Sequence, residues 1–482
     1  MSLEHERRSR AVRLPIMMRL YIGIAALALA GCASVSPEAS FDAVRKATGD
    51  HLGASAQLIW ARQPDDQVRI DQRVAELLGK PLGMDEAVQV ALINNRGLQA
   101  AYSELGITEA QVVQAGRLPN PGVSFGRLTK GDEVELERGF HLSLARLLVL
   151  PWVQQIEARR LEQAQMSLAA RVLSLAADTR KAWIQAVAAH ESVRYSRQVM
   201  QAAEASAELA RRMAQVGNFN KLQQAREQAF YADAALNLVR AEQHQRATRE
   251  RLIRLLGVWG TQTEFRLPER LPELPKQARN LADLERTAME QRLDVSAARL
   301  GAQATARNLG LTRTTRFVNV LELGLVRNSS NEAPIQRGWE VSLELPLFDW
   351  GDARVARAEH VYWQALHHAA EIAINARSEV REAYSVYRSA WDIARHHRDE
   401  IVPIRARIAE ENLLRYNAML IGVFELLADA RSQIASVNGA IDALRDFWIA
   451  QTDLDMALVG KSTLSPAAGP AMVVKEAGGA GH

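Results

Sequence analysis

Cysteine is almost absent from this chain, since Cys32 is the only one among 482 residues. A single thiol excludes a disulfide framework and every metal site that needs two or more cysteines. The sequence also lacks a Gly-rich phosphate loop and an HExxH motif, which excludes two common catalytic arrangements. The N-terminal apolar run, Leu20 to Leu29, has about 10 residues and falls short of the ~20 that span a bilayer as a helix.

Excess charge is equally scarce. Lys and Arg outnumber Asp and Glu by only three over the whole chain. The N-terminal residues 1–31 carry all of that excess, so the remainder of the chain is neutral. A chain without a basic surplus has little attraction for nucleic acid, and we expect no nucleic-acid partner.

Two histidine pairs, His367-His368 and His396-His397, raise the question of a metal site. Adjacent residues of a helix point about 100° apart, unlike the i, i+4 pair of an HExxH zinc site. We therefore expect solvated or interfacial histidines, no bound metal and no enzymatic activity. The only non-protein group that we expect is a covalent lipid.

The first 31 residues have the pattern of a secretory signal. A basic stretch that ends at Arg19 precedes the apolar run, and small residues follow it. Leu29-Ala30-Gly31-Cys32 resembles the lipobox of bacterial lipoproteins, in which the cysteine thiol is acylated and becomes the mature N-terminus. This resemblance implies a lipid such as palmitate on Cys32. It also favours the outer membrane, because Ala33 rather than an aspartate follows the cysteine.

Composition divides the remainder of the chain. A Ser/Pro-containing start is typical of a tether, Pro268, Pro272 and Pro275 mark a connector, and the small polar residues after Lys461 are typical of disorder. We therefore predict six segments: a signal peptide (1–31), a lipidated tether (32–83), a first repeat (84–258), a Pro-rich connector (259–280), a second repeat (281–460) and a disordered tail (461–482).

The two repeats follow one plan: helix, two short strands, very long helix, turn, helix. An alanine-rich series of residues recurs every seven positions, from Leu161 to Ala210 and again from Tyr362 to Ala390, which is typical of a coiled-coil seam. No proline or glycine interrupts the run from Val153 to about Val216, which predicts a helix of about 95 Å. Pro403 should kink the second long helix because it removes one intrahelical hydrogen bond.

Four segments have β character: Gly122–Leu128, roughly Leu136–Leu148, Phe317–Val326 and Trp339–Leu345. In the last, Trp339 and Val341 alternate with Glu340 and Ser342, the apolar-out, polar-in pattern of membrane barrels, although half-buried soluble strands alternate identically. Four strands cannot close a barrel, which needs at least about eight. If these strands enter a membrane, several copies of the chain must share one barrel.

In this order the features resemble the TolC-type outer-membrane efflux ducts, lipoprotein subgroup, from about Leu82 to Leu458. Beside the lipobox and the doubled plan, the resemblance rests on four motifs: Leu118-Pro119-Asn120-Pro121, Leu345-Pro346-Leu347-Phe348-Asp349, Gly217-Asn218-Phe219-Asn220 and Arg415-Tyr416. It implies a mostly α fold in which long helical hairpins form a trimeric α-barrel and four strands per chain form one shared transmembrane β-barrel.

The resemblance also implies a function. Such ducts are passive exit channels of tripartite efflux or secretion systems in Gram-negative bacteria, and they extend from the outer membrane into the periplasm. As partners it implies two further copies of the chain, a periplasmic adaptor (membrane fusion protein), an inner-membrane pump and outer-membrane lipid.

The chain departs from the family pattern at several positions. Arg96 and Leu293 stand where many members have proline, which we expect to alter local bends only. Glu425 and Tyr416 match residues of the closed pore tip, but Ala428 replaces a second acid. Ile421 replaces an arginine, and a glycine is missing near Met419. We infer a gate with one acidic ring, in which Lys221 pairs with Glu425; the simpler alternative is that both are solvated helix charges.

Two turns are the expected docking surface for the adaptor. Exposed apolar side chains at a turn favour a partner, although every turn needs some residues and turn chemistry alone explains several of these. The docking residues that we predict are Gly217, Asn218, Phe219 and Asn220 in the first turn and Met419, Leu420, Ile421 and Gly422 in the second.

Two other classes remain open. A structural coiled-coil lipoprotein that spans the periplasm without a pore explains the helices and the lipid, but gives the strands no purpose. A periplasmic adaptor is less favoured, because no compact β-rich lipoyl-like segment lies between two helices. The sequence does not indicate whether the cargo is a drug, a metal ion or a polypeptide.

Overall fold

The computed structural model describes residues 37–52, 56–317 and 320–461, and these residues form two compact units. The first unit contains Gly106–Glu162 and Leu300–Ala365. The second contains Phe41–Leu105, Gln163–Arg299 and the residues from Leu366 onward. The predicted signal peptide, Cys32 and nearly all of the predicted tail lie outside the described residues.

The described elements alternate helices with two pairs of strands. In chain order they are α1 (Pro37–Leu52), α2 (Pro64–Leu78), α3 (Met84–Asn94), α4 (Arg96–Ala115), β1 (Gly122–Lys130), β2 (Glu133–Ser143), α5 (Leu144–Gln215), α6 (Lys221–Leu256), a 3₁₀ turn (Gly260–Thr263), α7 (Leu284–Gln291), α8 (Leu293–Thr315), β3 (Leu321–Ser330), β4 (Gln336–Leu343), α9 (Asp352–His396), a π-helical turn (His397–Ile401), α10 (Val402–Asn417) and α11 (Val423–Val459).

The first helix of each half is broken at the corresponding position. Helix α3 ends before Asn95, which has φ −65° and ψ 115°, and α7 ends before Arg292, which has φ −66° and ψ 123°. A new helix starts at the next residue in both halves, Arg96 and Leu293. These are the positions where proline was expected from the family pattern, so here the chain makes the bend without proline.

Side chains at the breaks hold the ends of later helices. The Asn94 amide donates to the carbonyl oxygens of Leu256 and Gly257 at the end of α6, over 3.1 and 2.9 Å. The buried Arg292 guanidinium donates to the carbonyl of Ala457 near the end of α11, at 3.2 Å. Such carbonyls have no partner within their own helix, and these side chains satisfy them.

The segment expected to be a tether contains two helices, α1 and α2. Helix α2 begins at Pro64, a favourable first helical residue, and the Asp66 carboxylate accepts hydrogen bonds from the backbone N–H groups of Arg62 and Gln63. Ile70 of α2 is buried in the hydrophobic core of the second unit. Phe41 of α1 packs edge-on against Tyr102, with ring centroids 4.9 Å apart. Tertiary packing therefore orders a region whose Ser/Pro-containing start indicated a tether.

The long helices are confirmed with shifted bounds. Helix α5 has 72 residues and begins at Leu144, nine residues before the predicted start, so it includes Pro151. The predicted disturbance at Pro403 is a π-helical turn, His397–Ile401, directly before α10. Pro403 has no N–H to donate to the carbonyl four residues earlier, which breaks the α-helical pattern. Just before it, the Val402 N–H donates to the carbonyl of His397, five residues back, as in a π-helix.

The predicted seams are buried in the second unit. Along α5 the side chains of Ala182, Ala189, Ala203 and Ala210 are all buried. Along α9 the corresponding buried stretch runs from Ala376 to Ala394. Small side chains let the helix axes approach closely, as the seven-residue spacing predicted.

The four strands of the first unit form one antiparallel sheet in the order β1-β2-β3-β4. The pairing of β2 with β3 joins the two halves of the chain, with Arg138 opposite Arg327. The strand predictions were correct in number but wrong at their ends. The second strand ends at Ser143 because α5 begins there, β3 starts at Leu321 rather than Phe317, and β4 starts at Gln336 and ends at Leu343.

Candidate functional site

The sheet of the first unit has one apolar face and one polar face. Because side chains alternate along a strand, Val123 and Phe125 of β1 share a face with Phe140 of β2. Across β3 and β4 the same face carries further apolar side chains: Leu321, Leu323, Leu325, Trp339, Val341 and Leu343. Trp339 is 75% exposed and Phe125 is 80% exposed. Within the described residues this apolar face therefore has nothing packed over it.

The opposite face is polar and acidic. Its charged residues are Lys130, Glu133, Glu135, Glu137, His141, Glu322 and Glu340. Asn328 donates to Glu135 at 3.1 Å, and the Ser330 hydroxyl donates to Glu133 at 3.0 Å. The carboxylates of Glu133, Glu135 and Glu137 follow one another along this face of β2, so the face is suited to contact with water and cations.

Two glycines on the polar face make room for His141. A Cβ atom on Gly139 would lie 2.7 Å from His141 Nε2, and one on Gly324 would lie 3.1 Å from Nδ1. The imidazole Nε2 is 2.9 Å from the Ser124 hydroxyl. A Cβ atom at either position would therefore force the imidazole of His141 to move.

Over the described parts of the chain, no helix combines the length and the apolar character needed to cross a bilayer.

The first predicted docking turn is closed by its own backbone and side chains. Gly217 has φ +80°, which favours glycine, and the Asn218 N–H bonds to the Met213 carbonyl at 2.9 Å. Asn220 caps α6: its side chain accepts from the Gln223 N–H at 2.8 Å, and Gln223 reciprocates at 2.8 Å. Asn220 therefore has a structural role at this turn.

Phe219 corrects one expectation about this turn. We expected an exposed aromatic tip, but the side chain is only 9% exposed. It is buried in the second unit, so it stabilises the turn and offers little surface to a partner. The exposed apolar side chains beside the turn are instead Val216 and Leu222.

The second predicted docking turn is apolar and exposed. Met419 is 93% exposed and Leu420 is 73% exposed. Met419 has φ 58°, and its N–H bonds to the Tyr416 carbonyl at 2.9 Å. Left-handed backbone is unfavourable for a residue other than glycine. Ile421 is half-buried and Gly422 is exposed, so the surface that this turn presents is mainly Met419 and Leu420.

The predicted gate residues lie close to the turns but are not joined. Lys221 begins α6, Glu425 lies in the first turn of α11, and both are exposed. Within the described part of the chain neither forms an ion pair, so the expected Lys221–Glu425 pair is absent from a single chain. Tyr416 is partly exposed, and its carbonyl serves the turn as above. Their role at a pore tip stays a prediction.

A charge network near the same turns was missed from the sequence. Arg431 of α11 donates to the buried Glu227 of α6 at 2.9 Å, and the Ser206 hydroxyl of α5 donates to the other carboxylate oxygen at 2.9 Å. The Arg431 guanidinium also lies 4.3 Å from the ring centroid of Phe230. The seven-residue series Glu227, Ala234, Ala241, Thr248 was the available signal, because it places Glu227 on the buried seam of α6.

The histidine pairs do not form a metal site in the described residues. His368 lies 3.3 Å from Glu371, and His396 lies 3.3 Å from Glu400. Among the described residues there is no group of three or more His, Cys, Asp or Glu arranged to hold a metal ion.

The sequence matches no protein-family model. It is 27% identical over 333 residues to Protein CyaE of Bordetella pertussis, a match that covers 64% of this chain and 70% of CyaE. Among solved structures, the chain is similar to CusC, described as forming a transmembrane channel, with a TM-score of 0.64 and 17% identity over 78% of this chain and 92% of CusC.

Two solved outer-membrane channels are as similar in structure to this chain as CusC is. The Campylobacter jejuni CmeC outer membrane channel has a TM-score of 0.65 and 16% identity over 84% of this chain and 90% of CmeC. The open state of the Neisseria gonorrhoeae MtrE outer membrane channel has a TM-score of 0.66 and 18% identity over 78% of this chain and 89% of MtrE. This chain has the fold of the TolC-type outer-membrane channels.

The TolC-type fold confirms the mostly α fold with a small β part that the sequence predicts, and the trimeric α-barrel and the shared β-barrel stay predictions. The chain is mostly helical, and its four strands make a single antiparallel sheet. The chain has two candidate functional sites: the sheet in the first unit and the two helical turns in the second unit.

Proposed function

We propose that this chain is the outer-membrane exit duct of a tripartite efflux or secretion system. The observation that carries the proposal is the sheet, which has an exposed apolar face and an acidic face on a chain with the fold of outer-membrane channels. An uncovered apolar face of this size marks a contact with lipid or protein. The acidic face is then the wall of an aqueous passage.

One chain cannot make such a passage alone. Strands β1 and β4 lie at the edges of the four-stranded sheet, and their unpaired backbone groups are costly in lipid. Closure needs at least about eight strands, so several sheets must join edge to edge. Three copies, as the family resemblance implies, satisfy this requirement, and the duct is then a homotrimer with one shared barrel.

The helical part of the duct extends into the periplasm and meets its partners there. Met419 and Leu420 are exposed apolar residues on a tight turn, a surface that fits a periplasmic adaptor. An inner-membrane pump supplies the cargo, and the duct only conducts it, without chemistry of its own.

A lipid on Cys32 anchors the N-terminus in this proposal. The support is the lipobox pattern, Leu29-Ala30-Gly31-Cys32, after a basic and apolar signal. Intact-mass measurement of the mature protein should find an acylated N-terminal cysteine. A Cys32→Ser variant should lose that added mass, and an unmodified thiol in the wild-type protein would contradict the anchor.

The oligomeric state tests the duct directly. Native mass spectrometry of the protein purified in detergent should give a trimer. A folded monomer that never assembles would leave the apolar sheet face and both strand edges unexplained and would refute the proposal.

A further inference from the structure

Four arginines interrupt the apolar face of the sheet. Arg127 of β1, Arg138 of β2, Arg327 of β3 and Arg337 of β4 all project from the same side as Trp339. All four side chains belong to exposed residues. A charged side chain is unusual on a surface made of Val, Leu, Phe and Trp.

The strand register lines three of them up. Arg138 is directly opposite Arg327, and Arg327 is directly opposite Arg337. Neighbouring strands lie about 4.8 Å apart, so the three positions form a row across the sheet. Arg127 lies two residue pairs nearer the turns that follow β1 and β3, where it is opposite Leu136.

The row has a definite place in the sheet. On the side away from the turns lie the apolar pairs, among them Val123 opposite Phe140 and Leu325 opposite Trp339. On the other side this face of β1 and β2 continues with Arg127 opposite Leu136 and Thr129 opposite Val134, and the strands then end at the turn that contains Gly131 and at the turn after Ser330. The arginines therefore mark one boundary of the apolar band, where a lipid phase would give way to headgroups.

Nothing in the described residues neutralises this row. None of the four arginines forms an ion pair with a carboxylate, and the glutamates of β2 project from the opposite face. Like charges directly opposite each other on a sheet are destabilising. A row of three, beside a fourth, therefore calls for an external anion.

We propose that these arginines bind the phosphate of an anionic lipid headgroup at the boundary of the apolar band. A guanidinium matches phosphate with two parallel hydrogen bonds, and arginine is the usual residue for this recognition. The acyl chains of the same lipid lie along the apolar pairs around Trp339. We commit to a lipid rather than a free phosphate because the row adjoins the exposed apolar band. The inference rests on the proposed function, since it requires the sheet to lie in a membrane.

Trp339 provides the measurement, because it lies on the same face, two residues from Arg337. The protein is reconstituted in phosphatidylcholine vesicles that contain a small fraction of a lipid with brominated acyl chains, which quench nearby tryptophan. The brominated lipid is either phosphatidylcholine or phosphatidic acid. The fluorescence of Trp339 is the difference between the protein and its Trp339→Phe variant, which removes the signal of the other tryptophans.

We expect brominated phosphatidic acid to bind near Trp339 on the order of tenfold more tightly than brominated phosphatidylcholine, as measured by quenching. The reason is that each basic residue near an anionic headgroup contributes to the binding free energy. The triple variant Arg138→Gln, Arg327→Gln, Arg337→Gln should lose this preference. The control triple Arg226→Gln, Arg240→Gln, Arg405→Gln changes the net charge equally on exposed helical positions and should keep it.

The outcomes separate the inference from the proposed function. Quenching by both lipids with equal strength overturns the arginine site and leaves the membrane sheet intact. Absence of quenching by either lipid overturns both, because Trp339 then does not face lipid. Competition by sodium phosphate beyond that of sodium chloride at equal ionic strength overturns the choice of a lipid and makes the row a free-phosphate site.

Discussion

Arg431 and Glu227 form an ion pair between two helical hairpins. The guanidinium of Arg431 on α11 donates to the carboxylate of Glu227 on α6 over 2.9 Å, and Glu227 is almost completely buried. Glu227 lies about two helical turns from the start of α6, so the contact is close to the predicted pore tip. A charge buried there needs its partner, so the pair would help to hold the tip closed if these turns form the end of a pore.

Glu227→Gln should weaken the contact between α6 and α11. The variant removes the charge but keeps the shape, and it replaces one of the two acceptor oxygens with an amide donor. Either the Arg431 guanidinium or the Ser206 hydroxyl then loses its acceptor. We expect a loss of about 1–3 kcal/mol in the free energy of unfolding, because a desolvated donor is left unsatisfied. We also expect a larger single-channel conductance. Glu410→Gln, at an exposed position on α10, is the matched control and should change neither quantity. Wild-type conductance in Glu227→Gln would show that the pair is only structural.

Glu425→Lys should change the ion preference of the pore. If Glu425 forms the one acidic ring of the gate, reversing its charge turns a cation-preferring constriction into one that repels cations. The measurement is the reversal potential of single channels in a salt gradient. Glu410→Lys reverses a charge elsewhere on the helical hairpin and serves as the control. An unaltered reversal potential in Glu425→Lys would remove this residue from the gate.

The exposed turn at Met419 should contact the adaptor. A photo-crosslinking amino acid at Met419 or Leu420, placed in cells, should capture a periplasmic protein, because these apolar side chains face solvent in the isolated chain. The same probe at the buried Phe219 should capture little. Equal yields from Met419 and from an exposed helical position such as Arg405 would mean that the turn has no special affinity for a partner.

Acid should destabilise the helical unit through His397. Burial, and then the charge of His396, lowers the pKa of His397 below its usual value near 6.5. A Cβ on Gly439 would lie 2.9 Å from the imidazole, so α11 packs closely against the ring. The unfolded chain binds a proton more readily than the folded one. This contribution to stability is therefore complete above pH 6.5 and is lost as the pH falls through the folded-state pKa.

The test compares the free energy of unfolding at pH 7.5 and at pH 5. His397→Gln should show a smaller loss on acidification than the wild-type protein. His360→Gln, at an exposed position, should show the same loss as the wild type. If His397→Gln and the wild type lose equal stability, His397 is not the group that responds.

The sequence predicted what depends on local repetition. The seven-residue spacing around Ala182 and Ala376 marked the seams, because a heptad pattern fixes which side of a helix is buried. The alternation at Trp339 to Leu343 likewise marked a strand with one apolar side. Both patterns repeat along one element, so neighbours far away in the chain were not needed.

What escaped prediction depends on distant contacts. The bends at Asn95 and Arg292 are held by helix ends about 160 residues away in sequence, as the contacts of Asn94 with Leu256 and of Arg292 with Ala457 show. Phe219 looked like an exposed turn residue, but its burial is decided by packing in the second unit. The arginine row required the strand register, since Arg138 and Arg327 are unrelated in sequence and meet only through β2 and β3.

Conductance in a planar bilayer tests the duct most directly. The purified oligomer should give discrete and uniform current steps, and Glu227→Gln measured beside it should give larger ones. A folded oligomer that inserts into the bilayer and carries no current in either form would contradict the duct, and would favour a coiled-coil lipoprotein without a pore.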